Sequence, residues 1–189
     1  MPRDDHEVDE TSRQPRNIVL TGFMGTGKST VGRLLADRLG MEHLDTDHVI
    51  ERRHGPIPRI FADLGEDGFR AIERELAVEL AADEGYVMST GGRFMLDPHN
   101  VELLRPGNQI FCLVADLAVI MERVMRHRST RPMLQGPDPE VRVRELLEAR
   151  ADGYAQFDAV PTGEAPPAHV VDEILRRLGH HDLITEESE

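Results

Sequence analysis

The sequence predicts an α/β fold of three layers, in which helices cover both faces of a central parallel sheet. Short apolar runs alternate along the chain with longer segments of helical periodicity, and this alternation is typical of parallel strands joined by helices. A glycine-rich turn follows the first apolar run at residue 22. The chain of 189 residues is long enough for one domain that buries its own core. Together these observations favour a single α/β domain.

The predicted strands and helices follow one another in a regular order. Strands are predicted at residues 17–22, 43–47, 86–90, 109–115 and 157–162. Helices are predicted at residues 30–40, 68–82, 117–125, 139–154 and 168–179. The proline-containing stretch 161–167 is interpreted as a loop inside the domain. Residues 1–16 are predicted to be a disordered tail and residues 179–189 an acidic tail, so the domain is expected to cover residues 17–178.

Composition limits the partners and the compartment of the protein. The 22 Lys and Arg residues against 35 Asp and Glu residues give a net charge of −13, which disfavours binding to nucleic acid or to an anionic membrane. No apolar run approaches the roughly 20 residues of a membrane span, and the N-terminus lacks a signal-peptide pattern. Cys112 is the only cysteine, which fits a reducing compartment. We therefore expect a cytoplasmic monomer without nucleic-acid or membrane partners.

Residues 22–29, GFMGTGKS, match the pattern G-x-x-x-x-G-K-[ST] between a predicted strand and a predicted helix. Glycines let backbone N–H groups surround a phosphate, and the start of a helix adds its positive dipole end. Lys28 is expected to reach the β- and γ-phosphates of a nucleotide, and the Ser29 hydroxyl is expected to bind Mg²⁺. The predicted nucleotide-binding residues are Gly25, Thr26, Gly27, Lys28, Ser29 and Thr30.

This glycine-rich motif leaves two alternatives. One is a strand–helix turn that binds no ligand. The other is a GTPase switch, which would be expected to carry a D-x-x-G element and an N-K-x-D element. Neither element is found in the sequence, and this weakens the switch hypothesis.

Two carboxylates follow the second predicted strand in the stretch LDTD, residues 44–47. In extended backbone Asp45 and Asp47 would point to the same side, where the carboxyl ends of parallel strands line the ligand crevice. One carboxylate could then hold Mg²⁺ while the other accepts a hydrogen bond from a substrate hydroxyl. The alternative for Asp47 is to cap a helix that begins at His48. Asp116, after another predicted strand, has the same alternative and is not included in the predicted site.

Together with the loop at residues 22–29, five short segments resemble the shikimate kinase family in their order and spacing. The segments are LDTD (44–47), FRAIE (69–73), STGGR (89–93), RPML (131–134) and RADGY (150–154). The resemblance extends from about residue 17 to residue 178. It implies a P-loop kinase fold with substrate-binding and lid subregions, the lid at about residues 122–137. It also implies transfer of a phosphoryl group from ATP, with Mg²⁺, to the 3-hydroxyl of shikimate, a small polyhydroxylated ring carboxylate.

The resemblance also implies roles for individual residues. Asp45 is similar to the aspartate that associates with Mg²⁺, and Asp47 is similar to the one that contacts the reacting hydroxyl. Arg131 matches the lid arginine that closes over the phosphates, where it would bind the nucleotide. The implied catalytic residues are Lys28, Asp47 and Arg131. The implied substrate-binding residues are Asp47, Arg70, Gly91, Gly92 and Arg150, and the implied metal-binding residues are Ser29 and Asp45.

The arginines among these residues have a chemistry that suits a small acid. A planar guanidinium can hold a carboxylate through two parallel hydrogen bonds, which is the role that the resemblance implies for Arg70 and Arg150. Glu73 matches a glutamate that steadies Arg70. The alternative for Arg70 is an ion pair with a glutamate of its own helix. Arg123, at the start of the predicted lid, is a candidate for contact with the adenine.

Arg93 departs from the family pattern, because it stands where the family usually has a third consecutive glycine. Its side chain could point away from the substrate, reshape the pocket for a different or larger acid, or block the pocket. The sequence therefore leaves two alternatives to a shikimate kinase open. One is a kinase of the same architecture that acts on another small hydroxy acid, and the other is a non-catalytic ATP-binding regulatory protein. Asp152 and Gly153 are a minor departure in the last segment.

Overall fold

The described part of the chain contains one parallel sheet of five strands. A computed structural model describes residues 15–126, 138–163 and 165–184. The strands are β1 (Ile18–Gly22), β2 (Glu42–Asp45), β3 (Tyr86–Ser89), β4 (Gln109–Val114) and β5 (Asp158–Pro161). All neighbours pair in parallel, in the spatial order β2, β3, β1, β4, β5. The strand that precedes the glycine-rich loop therefore lies at the centre of the sheet.

Helices cover both faces of this sheet. They are α1 (Lys28–Leu39), α2 (Thr46–His54), α3 (Ile57–Ala82), α4 (Pro98–Leu104), α5 (Leu117–Met125), α6 (Pro139–Ala155) and α7 (Pro167–Arg177), with single 3-10 turns at Phe94–Leu96 and His181–Leu183. Ile18 and Leu20 pack with α1 and α7, whereas Val19 packs with α2 to α6 on the other face. This division arises because alternate residues of a strand point to opposite faces. The predicted three-layer α/β/α fold is confirmed.

The predicted strands are all present, and their ends lie within two residues of the predicted ones. The predicted helices are also present, but the second of them begins at Ile57 rather than at residue 68. This helix, α3, is broken at Gly65, whose φ of 71° and ψ of −175° are not helical. The short helix α4 was not predicted, and α2 was considered only as an alternative for Asp47, as a helix that begins at His48. The helices α2 and α4 have nine and seven residues, which is too short for a clear periodic pattern.

The carboxyl ends of β1, β2 and β3 meet at the edge of the sheet where the candidate site lies. Asp45, the last residue of β2, is in register with Ser89, the last residue of β3. Ser89 Oγ donates to the backbone carbonyl of Lys28 at 3.0 Å, which ties the start of α1 to β3. Gly32 permits this close approach, since a Cβ there would lie 2.4 Å from Ser89 Oγ. Ligands of open parallel sheets bind at this edge.

Residues 179–184, predicted to belong to an acidic tail, contact the domain. The backbone carbonyl of Leu183 accepts a hydrogen bond from Arg38 at 2.7 Å, and Leu183 and Ile184 pack on the core beside α1 and α7. Arg16, at the end of the predicted N-terminal tail, also contacts the domain, because its backbone N–H donates to the carbonyl of Gly107 at 2.8 Å. Residues 1–14 and 185–189 lie outside the described residues.

Two predictions from composition concern Cys112 and membrane spans. Cys112 is buried in β4 with a free thiol, and burial raises the pKa of that thiol to about 11. Such burial is typical of a cysteine that packs as a small hydrophobic residue. Within the described ranges, every helix is too short or too polar to cross a bilayer.

Candidate active site

The loop between β1 and α1 is shaped by three glycines with positive φ. Gly22, Gly25 and Gly27 have φ values of 132°, 81° and 95°, a region that strongly favours glycine. A Cβ on Gly22 would also lie only 2.3 Å from the carbonyl oxygen of Leu113. Thr26 Oγ1 donates to the carbonyl of Phe23 at 2.8 Å and closes the turn. The loop thus directs backbone N–H groups toward a place where an anion can bind at the start of α1.

Lys28 and Thr30 lie in the first turn of α1, at the end of this loop. Lys28 is the only lysine of the chain. Its Nζ donates to the carbonyl oxygens of Gly22 and Phe23 at 2.8 and 2.9 Å. Thr30 is exposed, and its backbone N–H donates to Gly27 at 3.0 Å. The predicted nucleotide-binding residues 25–30 therefore occupy the end of the loop and the first turn of α1, with Thr26 buried.

The two predicted metal ligands, Ser29 and Asp45, are in direct contact. Ser29 Oγ donates to Asp45 Oδ2 at 2.6 Å. The other carboxylate oxygen, Oδ1, accepts the backbone N–H of His48 at 3.3 Å, so Asp45 is also the N-cap of α2. A hydroxyl and a carboxylate are oxygen ligands of the kind that Mg²⁺ prefers. The hydrogen bond between Ser29 and Asp45 thus joins the start of α1 to the end of β2.

Asp47 lies in the first turn of α2, so the prediction that it belongs to the strand is wrong. The alternative that Asp47 caps this helix is also wrong, because Asp45 performs that role. Burial, and then the negative charge of Asp45, raise the pKa of Asp47 to about 6, while the positive charges of Lys28 and Arg70 oppose this rise. The charges of Lys28 in the phosphate loop and of Arg70 on α3 therefore both act on the Asp47 carboxylate.

Gly91 packs directly against the carboxylate of Asp47. A Cβ on Gly91 would lie 2.5 Å from Asp47 Oδ1 and 3.4 Å from Glu73 Oε1. The N–H of Gly91 donates to Thr46 Oγ1 at 2.9 Å, which attaches the loop after β3 to the start of α2. The structure therefore brings together two residues that the sequence places 44 positions apart and that the resemblance assigns to the same substrate.

Arg70 contacts two glutamates of its own helix, so the predicted alternative of an ion pair within that helix is present. Its NH1 donates to Glu73 at 2.5 Å and its NH2 donates to Glu66 at 3.2 Å. The Glu73 side chain is only 2% exposed, and burial raises its pKa to about 7, against the opposing charge of Arg70. Glu73 therefore steadies Arg70 from the buried side, as the resemblance implies.

Arg150 reaches the same region from α6. Its guanidinium carbon lies 5.4 Å from the centre of the Phe23 ring, which fits a cation–π contact with the phosphate loop. A Cβ on Gly92 would lie 3.8 Å from Arg150 NH1. Tyr154, one turn further along α6, donates its hydroxyl to the carbonyl of Gly92 at 2.5 Å. Burial raises the pKa of this phenol to about 12, so Tyr154 stays a neutral donor that fixes the loop.

Arg93 lies on the wall of an open groove that also contains Arg70. The groove has a volume of about 490 Å³, within the range of small-molecule sites. The Arg93 side chain is 45% exposed and donates to Glu66 Oε1, the same oxygen that Arg70 contacts. Arg93 thus adds a positive group to the groove beside Arg70.

Three other predicted residues have different outcomes. Arg131 and residues 127–137, which form most of the predicted lid, lie outside the described residues. Arg123 donates to the carbonyls of Gly25 and Thr162, and so links the phosphate loop to the segment after β5. Asp116 occupies the N-cap position of α5, but its side chain accepts no hydrogen bond from the first turn of that helix.

Four residues that shape the site were not predicted from the sequence: Phe23, Thr46, Glu66 and Tyr154. Thr46 and Tyr154 lie inside the segments that carry the resemblance, and their hydroxyls are a signal that a polar contact was available. Phe23 lies inside the glycine-rich loop at a position where the pattern accepts any residue. No local pattern indicates the role of Glu66, because its partner Arg93 lies 27 residues away in the chain.

The central strand, the loop after it and the cations at the carboxyl edge of the sheet define a nucleotide-binding P-loop kinase. A family model described as shikimate kinase matches residues 24–179. The shikimate kinase of Thermodesulfovibrio yellowstonii is 40% identical over 163 residues, which cover 85% of this chain and 94% of that protein. The shikimate kinase of Desulforudis audaxviator is 50% identical over 151 residues, 78% of each chain. The chain belongs to the shikimate kinase family.

A solved structure agrees with this assignment. The shikimate kinase from Acinetobacter baumannii in complex with shikimate matches with a TM-score of 0.81 and 37% sequence identity, and the match covers 87% of this chain and 92% of that one. The predicted P-loop kinase type is confirmed. Membership of the family makes the protein an ATP-dependent phosphotransferase that acts on an alcohol group.

Proposed function

We propose that the protein transfers the γ-phosphoryl group of ATP to the 3-hydroxyl of shikimate and releases shikimate 3-phosphate and ADP. The observation that carries this proposal is the position of Asp47, whose Oδ1 lies against Gly91 of the loop after β3 and near Glu73, the carboxylate that holds Arg70. The Asp47 carboxylate thus lies beside the residues that would bind the acceptor, and the charge of Lys28 in the phosphate loop also acts on it. The shikimate bound by the Acinetobacter baumannii relative supports the same acceptor.

The phosphate loop supports the nucleotide half of the reaction. Backbone N–H groups of residues 25–30 would surround the phosphates at the start of α1. Lys28 would exchange its two carbonyl acceptors for phosphate oxygens, because hydrogen bonds between charged partners are stronger. Arg131 stays a prediction: it would close over the phosphates, neutralise charge and help to exclude water.

Ser29 and Asp45 fit a magnesium ion in their chemistry. Their 2.6 Å contact shows that a hydroxyl and a carboxylate oxygen meet at one point beside the phosphate loop. Magnesium in phosphate-binding sites takes few protein ligands, because phosphates and water complete its coordination. Ser29 and Asp45 would hold this Mg²⁺, which supplies positive charge to the β- and γ-phosphates when it is bound.

The acceptor would lie between Arg70, Arg150 and the backbone of Gly91 and Gly92. The two guanidiniums would grip the carboxylate and thereby fix the orientation of the ring. Asp47 would accept the proton of the 3-hydroxyl as its oxygen forms a bond to the γ-phosphorus. The bond from that phosphorus to the β–γ bridging oxygen breaks, and ADP leaves. Such transfers depend mainly on alignment and charge neutralisation, which these residues provide.

Composition supports the setting in which this reaction would take place. The net charge of −13 disfavours nucleic-acid and membrane partners, and the single free cysteine fits the reducing cytoplasm. We also propose that the protein works as a monomer. A kinase of another small hydroxy acid remains the second candidate, since Arg93 adds an unexpected charge to the groove. A non-catalytic regulator would bind ATP without transferring it to any acceptor.

A coupled assay of ADP release tests the proposed function. We expect ADP release to saturate with shikimate and to require Mg²⁺, and we expect phosphorus NMR to show shikimate 3-phosphate. An analogue of shikimate without the 3-hydroxyl is the control and should release no ADP. Quinate and gluconate test the second candidate. Turnover with either of these and not with shikimate would contradict the proposal, as would ATP binding without turnover on any acceptor.

The raised pKa of Asp47 predicts an acidic limb in the pH profile of the reaction. Only the ionised carboxylate can accept the hydroxyl proton, and the pKa is about 6. We therefore expect kcat/KM for shikimate to fall by about tenfold per pH unit below that value. Profiles at constant ionic strength measure this limb.

Glu51→Gln is the matched control for this pH profile. Glu51 lies on α2 outside the proposed site, and its negative charge helps to raise the pKa of Asp47. Its removal should move the limb to lower pH without a loss of maximal rate. A flat wild-type profile through this range would exclude Asp47 as the proton acceptor.

A further inference from the structure

Arg93, Glu66, Arg70 and Glu73 form a chain of charges along the groove wall. One oxygen, Glu66 Oε1, accepts hydrogen bonds from Arg93 NH1 and from Arg70 NH2. Arg70 NH1 donates to Glu73 at the buried end of the chain. Two guanidiniums and two carboxylates therefore alternate, and their formal charges balance. We refer to these four residues as the charge chain.

Only one edge of the Arg70 guanidinium is left for a ligand carboxylate that binds through two hydrogen bonds. Arg70 Nε is buried and has no acceptor among the described residues, so the edge that includes Nε is closed. The remaining edge lies between NH1 and NH2, and each of these nitrogens already donates to one of the protein's own glutamates. Glu73 is 2% exposed and its bond is 2.5 Å long. Glu66 is 52% exposed and its bond to Arg70 is 3.2 Å long, so Glu66 is the easier of the two to displace.

We propose that Arg93 is a positioning residue that shares Glu66 with Arg70 and receives Glu66 when the carboxylate of the acceptor displaces it from Arg70. This inference rests on the proposed function and names a determinant of affinity for the acid. Glu66 and the acceptor carboxylate compete for the same guanidinium. Arg93 offers Glu66 a second partner, and it thereby weakens that competition.

The charges of the chain explain why a cation suits position 93. Without Arg93, the remaining three residues would carry a net charge of −1 at the place where an anionic acceptor must bind. The positive charge of Arg93 also reaches further into the site, where it lowers the pKa of Glu73. The backbone of Arg93, with φ of −111° and ψ of −6°, accepts a side chain without strain. A glycine is therefore not required by the geometry here.

The test compares the wild-type protein with three variants. These are Arg93→Ala, Glu66→Gln and the double variant that carries both substitutions. Arg93→Ala should raise KM for shikimate by about three- to tenfold, because Glu66 is left with Arg70 as its partner. The values of kcat and of KM for ATP should change by less than about twofold, since the phosphate loop is untouched. Glu66→Gln in the Arg93→Ala background should restore KM to near the wild-type value. That rescue distinguishes positioning through Glu66 from a direct grip on the substrate.

Arg74→Ala is the matched control, because it removes the same charge from the same groove wall. Arg74 pairs with Asp97 at 2.7 Å and not with Glu66. Its loss should leave KM for shikimate within about twofold of wild type if the effect of Arg93 depends on its partner. If KM for shikimate rises equally in Arg74→Ala, the effect of Arg93 comes from the general charge of the groove and not from its bond to Glu66.

The remaining outcomes separate this inference from the proposed function. If the double variant keeps the raised KM, Arg93 contacts the acid directly and the inference is wrong. If Arg93→Ala lowers KM, Arg93 obstructs the groove and the inference is again wrong. In both cases wild-type turnover of shikimate would leave the proposed function intact. A wild-type protein that neither binds nor phosphorylates shikimate would overturn both.

Discussion

Replacement of Asp47 by asparagine is expected to lower kcat for shikimate phosphorylation by about 10²- to 10⁴-fold. The amide keeps the shape of the side chain but cannot accept the hydroxyl proton. The burial that raises the pKa of Asp47 also means that water cannot easily take over this role. Steady-state kinetics would measure the loss, and calorimetric titration with ATP should show affinity close to that of the wild type.

Asp63→Asn provides the matched control for this experiment. Asp63 is an exposed aspartate on α3 that pairs with Arg59 at 3.4 Å, and its substitution removes the same charge outside the site. We expect its kcat to stay within about twofold of wild type. An Asp47→Asn enzyme that retains more than about a tenth of the wild-type kcat would show that another group takes the proton.

Replacement of Gly91 by alanine is expected to lower kcat by about 10²-fold while the protein remains folded. The new Cβ would lie 2.5 Å from Asp47 Oδ1, so the carboxylate must move. A displacement on the scale of 1 Å is sufficient for such a loss, because phosphoryl transfer depends on alignment. Kinetics at saturating shikimate and a thermal melt would separate the loss of rate from any loss of stability.

Gly163→Ala is the control for the Gly91 substitution. A Cβ on Gly163 would meet no atom within 4 Å, and its φ lies outside the positive region. We expect this variant to retain wild-type kcat and melting temperature. If Gly91→Ala behaves in the same way, the close contact between the loop after β3 and Asp47 does not control the reaction.

The parts of the site that the sequence predicted well depend on short contiguous stretches. The phosphate loop needs only the local order of glycines, Lys28 and Ser29 between a strand and a helix, and the structure has that order. The acceptor side could not be located by local pattern, because Arg70, Gly91 and Arg150 are far apart in the chain. The resemblance of several segments taken together placed them in one site, and the structure brings them to one edge of the sheet.

The errors of prediction arise from contacts that no local pattern records. Asp47 was assigned to a strand because alternation cannot show that β2 ends at Asp45 and that a nine-residue helix follows. The hydroxyl of Tyr154 fixes Gly92 across 62 residues of sequence. The orientation of Arg93 depends on Glu66, which lies on α3 just after the break at Gly65. Each of these features follows from tertiary packing and not from periodicity.

The single lysine makes the phosphate loop chemically distinct from the rest of the protein. The other 21 cationic side chains are arginines, so a reagent specific for amines can modify only Lys28 and the chain terminus. The Lys28 ammonium donates to the carbonyls of Gly22 and Phe23 at 2.8 and 2.9 Å, so acylation of Lys28 also weakens these two hydrogen bonds within the loop. Among the side chains, amine-specific labelling therefore reports on Lys28 Nζ alone, the atom that we propose binds the terminal phosphates of the nucleotide.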